Sequence, residues 1–215
     1  MSPGLLNVLL LVPVFLFSLC VHEFAHGWVA TLRGDPTPGK AGRLSLHPMA
    51  HADVMGTLLL PILCIYNGWP FIGWAKPVPV DVRYMKNGKW DMALVAAAGP
   101  ASNVILAMIS AVLLGVLVRL PLQHNIVETM QIFAAVSIQV NLMLAFFNLL
   151  PLPPLDGFNV LQAFLPPRGV IFLMRHARAT NFILLALLFT GGLHYISVPV
   201  QFGFRFLINL VTSGT

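Results

Sequence analysis

GLLNVLLLVPVFLFSLCVHEFAHGWVATL, residues 4–32, is an apolar stretch of membrane length with His22, Glu23 and His26 set inside it. At about 1.5 Å per helical residue it reaches roughly 43 Å, enough to cross a bilayer. Apart from Cys20, its only ionisable side chains are these three. An ionisable group at membrane depth costs of order 2.5–3.5 kcal/mol on insertion, so three together call for a task. His22 and His26 stand one helical turn apart on one face, where two imidazole nitrogens can converge on one ion. Glu23 stands about 100° round the helix, able to reach a water on that ion without acting as a ligand. The competing reading is a pair of core histidines satisfied by polar neighbours.

The rest of the chain supports a membrane setting. Of 215 residues, 58% are hydrophobic and only 9% charged, the composition of an integral membrane protein. The expected organisation is a single domain, 1–215, with a core at about 4–160 and accessory helices at about 168–213. A formal net charge of +5 fits loops facing anionic lipid, so the bilayer is an expected partner. No basic run is interleaved with aromatics, and nucleic acid is not expected. The first segment is too long for a cleaved signal peptide and is expected to remain in the mature protein. Cys20 and Cys64 have neither zinc-knuckle nor disulfide-framework spacing and read as buried packing residues.

A metal centre needs a third protein ligand and an open position. Thr129 to Leu150 is another uncharged span, and it runs into NLLPLPPLDG, residues 148–157. Pro151, Pro153 and Pro154 must end or unwind the helix, freeing carbonyls that membrane depth tolerates only beside a cavity or inside protein. Asp156 is delivered there. Taken alone, it reads as a turn residue or as the cap of a helix beginning near Gly157 before it reads as a ligand.

The two patterns together resemble the site-2 proteases, intramembrane zinc metalloproteases in which H-E-x-x-H is completed by an aspartate in an N-x-x-P-x-x-x-L-D-G segment. Asn148, Pro151, Leu155, Asp156 and Gly157 match every fixed position of that segment. Ala98-Gly99-Pro100-Ala101-Ser102-Asn103 resembles the family's G-x-x-x-N element, and Gly73 to Val80 extends the likeness, which covers roughly residues 20–160. The resemblance implies one catalytic Zn²⁺ held by His22, His26 and Asp156, with water in the fourth position and Glu23 as general base. It also implies transmembrane protein substrates, hydrolysed in or near their membrane segments. A metal transporter or channel is the alternative from another class. It would want polar ligands in tiers along a path, whereas these cluster at one depth beside a glutamate. A non-catalytic relative would lack the glutamate or a ligand, and none is missing.

For Asp156 to meet the histidines, the spans at 4–32 and 129–150 must run parallel, with 92–118 returning between them. The segment 54–75 is then one too many. Pro61, Asn67-Gly68, Pro70 and Gly73 suit a re-entrant hairpin in place of a crossing. The expected fold is an all-α polytopic membrane protein: a core of three transmembrane helices, a re-entrant hairpin with short β-strands, and one or two C-terminal helices. On that topology Arg33, Lys40, Arg43, Lys76, Arg83, Lys86, Lys89, Arg168, Arg175 and Arg178 share one face, with Arg119 opposite. The positive-inside rule makes that face cytoplasmic, in a prokaryotic cytoplasmic membrane with the site nearer the cytoplasm. After Asp156 a short helix to about Leu165 is expected to stop at Pro166-Pro167. Thr180 to Val211, broken at Gly191-Gly192 and Pro199, could gate substrate entry.

Candidate substrate-binding residues are Val78, Asn103 and Asn148. Pro77 and Pro79 leave Lys76 to Val80 a one-sided edge strand, able to pair with an unwound substrate or with Arg43 to His47. Asn103 could contact a substrate backbone or the unwound segment near Asp156, or make an ordinary interhelical hydrogen bond. Ser137, Asn141 and Asn148 share a face that points into the bundle, and for the first two a structural role is favoured. His47 and His51 could approach the metal or lie in solvent; His124, His176 and His194 have no partner at useful spacing.

Overall fold

The computed structural model describes residues 3–67, 73–120, 125–190 and 193–212. Gly68, Pro70, His124 and Gly191-Gly192 lie outside the described residues, as do the side chains of Arg178 and His194. Among these described residues ten α-helices follow in chain order: α1 Pro3–Leu32, α2 Thr37–Lys40, α3 Pro48–His51, α4 Leu60–Asn67, α5 Gly88–Arg119, α6 Asn125–Asn148, α7 Asp156–Gln162, α8 Pro167–Arg175, α9 Ala177–Phe189 and α10 Leu193–Thr212. A π-helical turn, Val54–Leu59, leads into α4, and a 3₁₀ turn, Val82–Tyr84, precedes α5. Among the described residues α1, α5 and α6 are long and apolar enough to cross a membrane.

These three helices pack where their side chains are small. The buried face of α5 reads Ala96, Gly99, Asn103, Ala107, Ala111 and Leu114, spaced three and four apart. Helices in lipid lack a hydrophobic drive toward one another and associate through such close backbone approach and polar contacts. The facing stripe of α6 is Ala134, Ser137, Ile138, Asn141, Leu142 and Ala145. The opposite side of α5 exposes Ile105, Met108, Ile109, Val112 and Val116: large apolar residues outside and small or polar ones inside, as lipid solvation requires.

The hairpin closes on itself. Asp53 caps the π-helical turn by accepting the Met55 and Gly56 N–H groups, and the chain comes back with Trp74 N–H on Gly56 O at 3.1 Å and Lys76 N–H on His51 O at 2.8 Å. Gly73 then lies against Phe15 of α1, in a cluster of Phe15, Leu19 and Ala75 joined by Val140 and Leu144 of α6. The apolar helix Val54–Asn67 is too short to span the bilayer core. The loops on this face are stitched together. Buried Asp35 accepts the Thr37 and Asp81 N–H groups, and Arg33 pairs with buried Asp91 at 2.5 Å.

Two expectations need correction. No β-strand forms among the described residues. The segment 73–81 is extended, but Pro77 and Pro79 offer no N–H, and the Trp74, Lys76, Val78 and Asp81 N–H groups go to Gly56 O, His51 O, Glu23 and Asp35 instead of a neighbouring ladder. Arg43 to His47 is consumed locally: Arg43 N–H bonds to Pro38 O and His47 N–H to Ser45 Oγ. The C-terminal region also holds three helices, α8 to α10, not one or two, because the chain turns at His176 before the Thr190 break. Of these, α10 seats Val200, Phe204, Leu207 and Val211 on the Ala107–Leu114 stretch of α5 and on α6.

Candidate metal centre and active site

His22 and His26, stacked one turn apart on α1, are 4% and 9% exposed. Their Nε2 atoms lie 3.0 Å apart. Asp156 Oδ2 lies 3.1 Å from the first and 3.3 Å from the second. The aspartate reaches them because α6 stops at Asn148 ahead of the prolines, and the chain doubles back before α7 opens at Asp156. Gly157 permits that return: a Cβ there would sit 2.2 Å from Leu149 O, closer than any side chain tolerates. Asp156 thus opens a helix, as its turn chemistry suggests, while its carboxylate faces the imidazoles.

The other ring nitrogens fix which atoms are free. His26 Nδ1 lies 2.7 Å from Val95 O; a backbone carbonyl only accepts, so Nδ1 carries the proton. His22 Nδ1 lies 2.6 Å from Asn103 Oδ1. The Asn103 amide nitrogen donates to Asn141 Oδ1 at 2.9 Å and to Ser18 O at 3.4 Å, which leaves its oxygen to accept from His22. Both Nε2 lone pairs therefore point at Asp156 and at each other, an arrangement that repels unless a cation sits among them.

That donor set fits zinc. Tetrahedral bonds of about 2.0–2.1 Å hold ligand atoms roughly 3.3–3.4 Å apart, close to the 3.0, 3.1 and 3.3 Å observed. The space itself is kept open by Gly99 of α5. A Cβ on Gly99 would lie 2.4 Å from His26 Nε2 and 2.6 Å from His22 Nε2. Each imidazole also has the outer partner that orients a metal-binding histidine.

Glu23 sits beside this trio with its Oε2 accepting the Val78 N–H at 2.9 Å. Val78 therefore meets the glutamate directly. Asn103 is fully buried with its amide spent on His22, Asn141 and Ser18, so it reaches the trio from behind. Asn148 turns its amide back to Leu144 O at 2.9 Å. His51 is buried with Nε2 on Ser45 O, exposed His47 accepts the Met49 N–H, and exposed His176 meets Phe172 O; all three stand apart from the trio. Cys20 and Cys64 are buried free thiols. Sequence reading did not single out the Val95 carbonyl or the cradle at Gly99. Their signal was available in the fourfold spacing Val95, Gly99, Asn103, which puts an acceptor, a gap and an amide on one face of α5.

Comparison with known proteins points to the same class of chemistry. The YwhC protein of Bacillus subtilis is 39% identical over 193 residues, covering 88% of this chain and 84% of its own length. The Rip2 proteins of Mycolicibacterium smegmatis and Mycobacterium tuberculosis are each 34% identical, over 74% and 71% of this chain and 58% and 56% of their own lengths. All three carry the printed name "Putative zinc metalloprotease". No solved structure matches the chain. The family model described as Peptidase family M50 matches residues 10–191, a stretch that includes the two histidines, Glu23, Gly99 and Asp156, and the chain belongs to that family, the site-2 proteases.

Proposed function

We propose that this protein is an intramembrane zinc metalloprotease that hydrolyses peptide bonds in or next to the transmembrane segments of membrane-protein substrates. The observation that carries the reading is the convergence of His22 Nε2, His26 Nε2 and Asp156 Oδ2 on one buried point that Gly99 leaves free. These three residues would hold the ion. A Zn²⁺ bound there would supply Lewis-acid chemistry, making a water at the site acidic enough to lose its proton near neutral pH.

The remaining work falls to the chain's own groups. Glu23 takes the proton from the attacking water and returns it to the leaving amine. The Val78 N–H holds one carboxylate oxygen, which fixes the rotamer and leaves the second oxygen for the proton. Burial of the trio among α1, α5 and α7 excludes bulk water, so charge developing at the scissile carbonyl is stabilised in a low dielectric. A helical substrate must unwind locally to expose that carbonyl. The extended segment 73–81, anchored at His51, Glu23 and Asp35, gives an unwound strand a surface beside the glutamate, with Val78 and Asn148 as the substrate-side candidates.

The membrane orientation follows from charge. Arg33 and Asp35 are joined to Asp91 and Asp81, which brings the basic loops 33–43 and 76–89 to one face, the cytoplasmic one by the positive-inside rule. The site then lies nearer the cytoplasm. The test compares wild type with Glu23→Gln, purified in detergent, on candidate single-span proteins. Zinc content should be equal and cleavage lost in the variant. Proteolysis retained by Glu23→Gln, or zinc retained after His22, His26 and Asp156 are all replaced, overturns the reading.

A further inference from the structure

The hydrogen bond that orients His22 does not end at Asn103. Asn103 Nδ2 donates to Asn141 Oδ1 at 2.9 Å, and Asn141 Nδ2 donates to Ser137 O at 2.9 Å. Asn103 and Asn141 are 0% and 1% exposed, deep between α1, α5 and α6. Ser137 O is a backbone carbonyl and can only accept. It therefore sets the direction of everything upstream: Asn141 must turn its NH₂ to Ser137 and its oxygen to Asn103. Asn103 must in turn give its NH₂ to Asn141 and its oxygen to His22 Nδ1.

The direction matters because an amide has two ends of opposite character. Were the Asn103 amide reversed, its NH₂ would face His22 Nδ1, that nitrogen would have to accept, and the ring proton would move to Nε2. A protonated Nε2 cannot ligate. The polarity of the chain thus decides whether His22 is a metal ligand at all.

We propose that Asn141 is a positioning residue for the metal centre, holding the Asn103 amide in the sense that keeps His22 Nε2 free for the ion. It acts through Asn103 and touches neither metal nor substrate, and the proposal rests on the zinc reading above. Ser18 O gives the Asn103 amide a second but longer anchor at 3.4 Å, so loss of Asn141 weakens the bias without abolishing it. Partners in the shell outside a ligand are worth about 10- to 100-fold in metal affinity, and the lower end, about tenfold, is expected here.

The experiment is a zinc competition titration against a chromophoric chelator on the purified full chain. Asn141→Leu, close to isosteric, should bind zinc about tenfold more weakly than wild type. Ser110→Ala removes a neighbouring bundle hydrogen bond, Ser110 Oγ to Ser137 Oγ at 2.8 Å; it leaves in place both Asn141 Nδ2 contacts to Ser137, to O at 2.9 Å and to Oγ at 3.4 Å. It should leave zinc affinity unchanged, whereas a merely structural role for Asn141 predicts that loss of either bundle hydrogen bond weakens zinc binding alike. Equal affinity in wild type and Asn141→Leu overturns the proposal alone, whereas a wild type that binds no zinc overturns it together with the reading on which it rests. If Asn141→Leu fails to fold, the wild type still decides. ¹⁵N spectra of histidine-labelled, zinc-free protein, assigned by comparison with His22→Gln, should show the His22 proton on Nδ1. A proton on Nε2 refutes the directed chain.

Discussion

Gly99→Ala separates packing from metal binding with opposite signs. Glycine inside a helix is worth about 1 kcal/mol less than alanine, so a methyl at an ordinary site in the middle of α5 should stabilise the protein. At this site the added Cβ would stand 2.4 Å from His26 Nε2 and 2.6 Å from His22 Nε2. That is about 1 Å inside ordinary contact, and overpacking of this kind costs about 1–3 kcal/mol. Neither side gives way freely. His26 is tied to Val95 O one turn back on the same helix, and His22 is tied to buried Asn103. Relief requires the rings to turn away, which breaks hydrogen bonds worth about 1 kcal/mol each and moves Nε2 from the ion. A loss of about 2–3 kcal/mol in metal binding corresponds to roughly 30- to 150-fold in affinity. The assay is chelator competition for zinc with thermal unfolding of the zinc-free protein alongside. Gly99→Ala that folds and holds zinc within about threefold of wild type would refute the cradle.

Other expectations follow from individual contacts. Val78→Pro removes the N–H that holds Glu23 together with the side chain that lies beside Gly27, at a position already flanked by Pro77 and Pro79. Cleavage should fall about tenfold with zinc content unchanged, while Val78→Ala, which keeps the N–H, should stay near wild type. Asp35→Ala strands two backbone donors, on Thr37 and Asp81, and should cost about 2–4 kcal/mol, read by thermal unfolding. Hydrogen bonds from Arg83 hold the Asp81 carboxyl down to about 2. A depressed folded-state value stabilises the protein only where the carboxylate is ionised. The contribution is therefore present above about pH 4 and fades as pH falls toward 2, and Arg83→Gln should raise the Asp81 titration midpoint by NMR.

How much of this was legible in the sequence depended on whether a feature was local. The His22–His26 pair needs only the helical period, and α1 delivers it. Asp156 lies 134 positions from His22 and has a good turn reading of its own. It became a ligand candidate only through the combined motifs. Gly99 shows the limit: the G-x-x-x-N element marks the position, but the volume a glycine leaves empty beside rings on another helix is not visible in spacing. The strand expected at Lys76 to Val80 failed for a related reason. Alternating prolines do mark a one-sided extended segment, but which acceptors lie opposite is a tertiary fact. They proved to be His51 O and the Glu23 carboxylate, single groups on different elements and no ladder. Asn141 was read as structural because its face points inward. Its connection to His22 runs through an amide on a third helix, beyond what spacing on one helix can show.

Topology ties these pieces together through parity. The trio joins the later part of α1 to a residue just beyond the end of α6, so both helices must finish at the same side of the membrane. Between them α5 makes one return, and any further crossing would carry the end of α6 to the far side, about 30 Å from His22. The Trp74 bond to Gly56 O and the Lys76 bond to His51 O fasten Trp74 and Lys76 beside the start of the 54–74 segment, as the expected re-entrant arrangement requires. Gly56 contributes through its missing side chain, since a Cβ would lie 2.4 Å from the Trp74 ring. These bonds do two things at once: they bring Trp74 and Lys76 back to Gly56 and His51, and they set the segment from which the Val78 N–H reaches Glu23. A substitution that broke them would disturb Glu23 and leave His22, His26 and Asp156 in place.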